Sequence, residues 1–259
     1  MRLLIKLGGT LLDSPVSRAA LARQIAALPR AGYDSVVVHG GGKQMTRFLA
    51  ERGVESRFEG GLRVTTPEVL DAVLKVFAGS VNKELVSALV AAGAGAVGFC
   101  GVDANLAEAE PMSPALGAVG RIVRTNPRVL ETLVAAGFIP VVACVAGDSH
   151  GAIYNVNADQ MASAIAAGFQ AAKVLFLTDV DGVKDGSGAL LPRLTVAQAE
   201  ELIRSGVATG GMQAKLNYAA EALGRGAGEI VIAPGAAPEV VDRLLAGEAL
   251  GTRLVRGDS

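Results

Sequence analysis

Two lysines and one aspartate stand where their chemistry invites a question. Lys6 interrupts the apolar run 3–7, two residues before the glycine pair of KLGGT. Lys215 lies one turn into a helix-like stretch opened by TGGMQAK, and Asp159 ends YNVNAD where another helical pattern begins. An ammonium inside a buried strand is costly unless it meets an anion; at a sheet edge it would snorkel to water instead. Taken alone, Lys215 reads equally well as a solvated surface residue, and Asp159 as a residue placed for capping or for the helix dipole. Arg63, in EGGLRVTTPE, has the planar fork that grips both oxygens of a carboxylate.

Around these charges sit glycine-bearing turns. VVVHGGGKQM over 36–45 runs three β-branched residues into a histidine and three glycines. KLGGT, HGGGK and TDVDGVK each follow an apolar run, and TGGMQAK opens a helix. A strand that ends in glycine and feeds a helix presents unpaired N–H groups and the positive end of the helix dipole, which together bind anions. Several such turns in one chain predict a multiply charged ligand such as a nucleotide. There is no GxxxxGK[ST] and no GxGxxG after the first strand, so the common phosphate fingerprints do not apply. With only two histidines, His39 and His150, and no Ser–His–Asp pattern, His39 is read as a structural residue at a strand end rather than a base.

The elements that must carry these groups alternate. Apolar runs at 3–7, 35–38, 96–100, 139–145, 173–178 and 229–233 predict strands. Amphipathic stretches at 18–28, 44–52, 67–77, 82–92, 128–136, 159–167, 195–205, 214–224 and 238–246 predict helices, with Thr195 as an N-cap. The segment 101–124, broken by proline and glycine, reads as a hairpin or excursion. Continuous apolar strands alternating with helices predict an α/β fold: an open, mainly parallel sheet sandwiched between helices, binding ligands at the carboxyl ends of its strands. The break at AGDSHGA divides the chain into an expected N-terminal lobe, 1–150, and a C-terminal lobe, 151–259. The chain is 51% hydrophobic with 4% aromatics and mean hydropathy +0.41, enough for a sizeable core. A net charge of −1 gives no basis for nucleic-acid or anionic-membrane partners. Cys100 and Cys144 lie among apolar residues without metal spacing and are expected to be buried free thiols. No stretch has the length of a membrane span, and a soluble, cytoplasmic protein is expected.

In order along the chain, IKLGGTLLD, VVVHGGGKQM, GLRVTTPE, AGSVNKELV, NVNADQMASAIA, FLTDVDGV, TGGM with a lysine three positions on, and GTRL near the end form a set. This set resembles the amino acid kinase family, and within it the N-acetylglutamate kinase branch, nearly end to end. The resemblance implies transfer of a phosphoryl group from ATP, with Mg2+ carried by the nucleotide, to an acyl-amino-acid carboxylate. By position, Lys6 and Lys215 match the lysines that stabilise the transferring phosphoryl group, and Asp159 the aspartate that orients both. Gly41 and Gly42 match glycines lying against acceptor and phosphoryl group. Arg63 and Asn155 match residues that hold the substrate α-carboxylate. Gly8 and Gly9 match a phosphate-side approach, and Asp179, Val180, Asp181, Gly182, Val183, Lys184, Thr209 and Gly211 match nucleotide contacts. The N-terminal lobe is then the acyl-amino-acid and dimerisation lobe, and the C-terminal lobe the ATP lobe. An ionised carboxylate acceptor needs no general base. It needs in-line positioning and neutralised charge. Because the chain starts almost at its first strand, without the N-terminal helix of arginine-inhibited hexamers, an arginine-insensitive homodimer is expected. N-succinyl-L-glutamate or carrier-linked aminoadipate as acceptor, and a non-catalytic sensor on the same fold, remain alternatives at this stage.

Overall fold

The computed structural model describes residues 1–257. From the N-terminus run β1 (Arg2–Leu7), α1 (Gly9–Asp13), α2 (Pro15–Ala27), β2 (Asp34–His39) and α3 (Gly42–Ala50). A short hairpin follows, β3 (Phe58–Glu59) and β4 (Leu62–Arg63), then α4 (Pro67–Val73), a π-helical segment Leu74–Val81, α5 (Asn82–Ala91) and β5 (Ala96–Cys100). Next come β6 (Ala107–Pro111), β7 (Gly120–Thr125), α6 (Arg128–Ala135), β8 (Ile139–Ala143), β9 (Val145–Gly147) and β10 (Ile153–Asn155). The rest is α7 (Ala158–Gly168), β11 (Lys173–Thr178), β12 (Arg193–Thr195), α8 (Val196–Arg204), α9 (Gly210–Gly224), β13 (Glu229–Pro234), α10 (Val240–Leu245) and β14 (Thr252–Val255).

Eight strands make the main sheet in the order β12-β14-β13-β11-β1-β2-β8-β5. All neighbours are parallel except β13 and β14. β1 lies at the centre, Lys6 opposite Val38 of β2 and Phe176 of β11. Side chains alternate across a strand. Leu3, Ile5 and Leu7 therefore enter one core with α2, α3, α5 and α10, while Leu4 enters the other with α6, α7, α8 and α9. Both faces are covered, as the unbroken apolar strands require. Lys6 shares its face with Leu4 and so looks toward α7 and α9.

The expected strand 139–145 is two strands. After Ala143 the chain leaves the main sheet at Cys144, and β9 joins a second sheet, β10-β9-β6-β7. β6 and β7 form the antiparallel hairpin expected within 101–124. The expected helix 67–77 changes character at Val73, continuing as the π-helical segment that brings Phe77 against the HGGG loop. Thr195 caps α8 with a full capping box to Gln198. Among the described residues no helix is long and apolar enough to cross a membrane. Cys100 and Cys144 are free and buried.

Candidate active site

The site is built at the carboxyl ends of β1, β2 and β11, and the first two of these strands lead directly into helices. α1 starts on Gly8 and α3 on Gly41, neither of which offers a side chain to cap the orphan N–H groups. The two loops touch. A Cβ on Gly9 would stand 2.9 Å from Gly42 N and 3.2 Å from Gly41 Cα, and one on Gly41 would stand 2.9 Å from the Phe77 ring. Glycine is needed because two backbones and an aromatic ring occupy the space a side chain would fill.

His39 fixes the second loop from below. Asn82 Nδ2 donates to Val141 O and lies 3.0 Å from His39 Nε2, so that nitrogen accepts and the ring proton sits on Nδ1. Nδ1 then donates to Gly40 O at 2.9 Å. In a trans peptide the carbonyl and the next N–H point opposite ways, so the Gly41 N–H is turned away from His39. Complete burial pushes the His39 pKa down to about 4. It is a neutral structural donor.

Asp159 joins the two lysines. Lys6 Nζ is 2.9 Å from Oδ1 and Lys215 Nζ is 2.8 Å from Oδ2. All three are buried, at 7%, 7% and 9% exposure. The cap of α7 is Asn157, whose side chain accepts from the N–H groups of Asp159 and Gln160, leaving the Asp159 carboxylate free for the lysines. Burial alone would raise the Asp159 pKa, but the two ammonium groups more than offset it and hold the carboxyl below its usual range. Burial and the neighbouring Lys6 push Lys215 below the ordinary lysine value, against the pull of Asp159. Lys215 also sits over the Phe176 ring, 5.6 Å from its centroid. Two ammoniums share this one carboxylate at contact distance, with Asp179 acting on Lys215 from farther off, and a phosphoryl oxygen would meet positive charge that little water screens.

Two clefts are lined by residues close in the chain to this triad, Ala158 in one and Met212 in the other. The first, about 170 Å³, is lined by Gly40, Gly41 and Gly42, by Phe58 and Arg63 from the β3–β4 hairpin, and by Phe77, Val119, Cys144 and 155–158. Arg63 is buried, donates to Ser56, Thr46 and the Gly42 carbonyl, and stacks on Phe58. Those bonds use three of its five N–H donors, and it has no carboxylate partner among the described residues. Burial lowers its pKa below the usual arginine range, yet a guanidinium stays charged at neutral pH. Asn155 donates to Thr65 Oγ1 beside it. The second cleft, about 420 Å³, is lined by Asp179, Val180, Asp181, Gly182 and Lys184 together with Val207, Ala208 and Met212.

The structure thus gathers Lys6, Asp159 and Lys215 at one point, Gly41, Gly42, Arg63 and Asn155 around one cleft, and most of 179–184 around the other. Gly8 and Gly9 lie between β1 and the HGGG loop. Val183 differs: its side chain is fully buried and its N–H donates to Thr252 Oγ1, so it supports the cleft from within the core. Asp181 and Lys184 pair with each other at 3.6 Å on the surface. Thr209 and Gly211 stand exposed at the start of α9, where Met212, not they, lines the cleft. Phe58, Phe77, Cys144 and Met212 are lining residues that sequence reasoning missed, since nothing in their spacing marks them.

A mainly parallel sheet with glycine loops and a buried lysine–aspartate–lysine cluster at its carboxyl edge agrees with the family model described as "Amino acid kinase family", which matches residues 1–234. The chain belongs to the amino acid kinase family. Among its relatives, the acetylglutamate kinase of Solibacter usitatus (strain Ellin6076) is 62% identical over 255 residues, covering 98% of this chain and 99% of the relative. The acetylglutamate kinase of Bartonella tribocorum is 42% identical, covering 97% and 88%. Among solved structures, N-acetylglutamate synthase from Neisseria gonorrhoeae, complexed with coenzyme A and N-acetyl-glutamate, superposes with a TM-score of 0.88 at 26% identity; this chain is wholly covered and spans 60% of that one. Isopentenyl phosphate kinase shares the fold at a TM-score of 0.62 and 21% identity.

Proposed function

We propose that the chain is an acetylglutamate kinase: it transfers the γ-phosphoryl group of ATP to the γ-carboxylate of N-acetyl-L-glutamate, forming N-acetyl-L-glutamyl 5-phosphate and ADP in arginine biosynthesis. The observation that carries the mechanism is the buried Lys6–Asp159–Lys215 cluster. The 62% identical acetylglutamate kinase supports the choice of acceptor.

In this reading 1–150 supplies most of the acceptor lobe and 151–259 the nucleotide lobe. Arg63 and Asn155 bind the α-carboxylate, and the apolar side of the first cleft takes the acetyl group. Asp179–Lys184 and the start of α9 border the nucleotide. Magnesium carried with ATP would supply charge neutralisation. A γ-carboxylate oxygen attacks the γ-phosphorus, and the bond to the β–γ bridging oxygen breaks, leaving its electron pair on ADP. The acceptor, with an unperturbed pKa of about 4.3, is already ionised, so no proton moves. Lys6 and Lys215 meet the charge spread over the equatorial oxygens, helped by the N–H groups of Gly41 and Gly42. Asp159 keeps the two ammoniums apart and aimed.

Among the described residues, Arg63 is the one charged residue lining the first cleft. That suits one bound carboxylate beside one reacting carboxylate. An N-succinyl acceptor would bring a third, with no further cation to meet it. The test is ATP-dependent acyl-phosphate formation, trapped with hydroxylamine, on N-acetyl-L-glutamate, N-succinyl-L-glutamate and L-glutamate in parallel. Turnover confined to the acetyl compound is expected. Preference for either other acceptor would overturn the assignment of substrate.

A further inference from the structure

The Asp159–Lys215 pair joins two helices, and the chain itself does little to fix where α9 begins. Thr209 precedes it without a capping bond, Gly210 has φ +53°, and Gly211 follows. Lateral contacts must set the position of the first turns: the apolar packing of Met212 and Leu216, and two polar ties. One tie is the ion pair. The other is Tyr218, three residues beyond Lys215 and so on the same side of the helix. Its hydroxyl accepts a hydrogen bond from Gln160 Nε2 at 3.1 Å, and Gln160 directly follows Asp159. The other end of that amide, Oε1, accepts from the Ile122 N–H of β7 at 3.0 Å. A backbone N–H can only donate, so the amide cannot turn over without losing a buried bond. Gln160 is 7% exposed.

The two ties respond differently to turnover. When a phosphoryl group arrives, both lysines must share their charge between Asp159 and phosphate oxygens, so the ion pair loosens when alignment matters most. The Gln160–Tyr218 bond is neutral, since burial raises the tyrosine pKa, and it carries no charge for the phosphate to compete with.

We propose that Gln160 and Tyr218 are positioning residues, which tie β7 and α7 to α9 and thereby hold Lys215 at its working distance from Asp159 and Lys6. The proposal rests on the phosphoryl-transfer reading above. Tyr218→Phe removes only the acceptor hydroxyl, and Gln160→Leu removes both arms at similar volume. Each is measured for kcat, for KM of ATP and of N-acetyl-L-glutamate, for Tm, and for amide hydrogen exchange across 209–218. Loss of this bond should lower kcat about three- to tenfold, leave both KM values within about twofold, and speed exchange in the first turns of α9. The double variant should match Gln160→Leu rather than multiply the two losses. Unchanged exchange across 209–218 in Tyr218→Phe overturns the tie whatever the substrate proves to be. Faster exchange with kcat unchanged overturns the positioning role, leaving a structural bond only. A wild-type protein without turnover on N-acetyl-L-glutamate would refute the acceptor, and the exchange measurement would still decide the tie. If Gln160→Leu does not fold, Tyr218→Phe decides alone.

Discussion

Asp159 is paired with two buried ammoniums at once, and burial makes these charges strong because little water screens them. His39 plays the opposite part, a buried group kept neutral so that it donates from Nδ1 to the Gly40 carbonyl. This has a consequence for acid stability. The folded-state pKa of about 4 lies below the ordinary 6.5, so between these values the unfolded chain binds a proton that the native protein refuses. Its share of stability is complete above pH 6.5 and is lost as pH falls toward 4, about 3 kcal/mol in all. Urea unfolding at pH 7 and pH 4 should therefore show a steeper acid loss in the wild type than in His39→Gln, by about that amount. Parallel losses in the two proteins would show that His39 is not the group titrating. At this scale the sequence was partly legible. Lys6 stands out because a charge inside an apolar strand has few explanations. Lys215 does not, since its burial depends on how α9 lies against α7, which no spacing along one helix reveals. Gln160 and Tyr218 are harder still: their meaning is one hydrogen bond between residues 58 apart in sequence.

At the scale of elements, the sheet positions the site by putting two helix starts, those of α1 and α3, at the ends of the neighbouring strands β1 and β2, beside the loop that leaves β11. The parallel strands and most helices follow from apolar runs and 3.6-residue periodicity, and they are found close to the expected places. What was hidden is short or irregular. β3, β4, β9 and β10 have two or three residues each, too few for a period to show. The π-helical segment Leu74–Val81 has an ordinary helical composition, and only its packing against Gly41 gives it a role. The contact between the two glycine loops is the part most exposed to test. In Gly9→Ala the new methyl group meets backbone atoms of Gly41 and Gly42 rather than a flexible side chain. One loop must shift, at a cost of about 1–3 kcal/mol in stability. The α3 N–H groups shift with it. We expect a folded protein with a modestly lower Tm and a kcat reduced by about tenfold or more, since small misplacements at such a site are costly. A Gly9→Ala variant with wild-type kcat would remove the loop contact from the mechanism.

For the whole molecule the arrangement is two clefts and a buried charged cluster, assembled from both halves of the chain and from all three sheets. Among the lining residues the clefts share none. Arg63→Ala should therefore raise the KM for N-acetyl-L-glutamate strongly, because lysine or alanine cannot reproduce the guanidinium fork. A non-hydrolysable ATP analogue should stabilise that variant against heat as much as it stabilises the wild type, by about 2.7 kcal/mol at a hundredfold excess over Kd. A lost thermal shift would mean that the two sites are not separate. The proposed transfer depends most on the Lys6–Asp159–Lys215 cluster. Asp159→Asn keeps the shape and removes the charge that aims both lysines. Its kcat for acyl-phosphate formation, set against the wild type under saturating ATP and acceptor, is the most direct measurement. With circular dichroism unchanged, a fall of about 100-fold or more is the predicted result. A kcat within about threefold of wild type would contradict the account, because the buried lysine–aspartate–lysine cluster would then be structure and not catalysis.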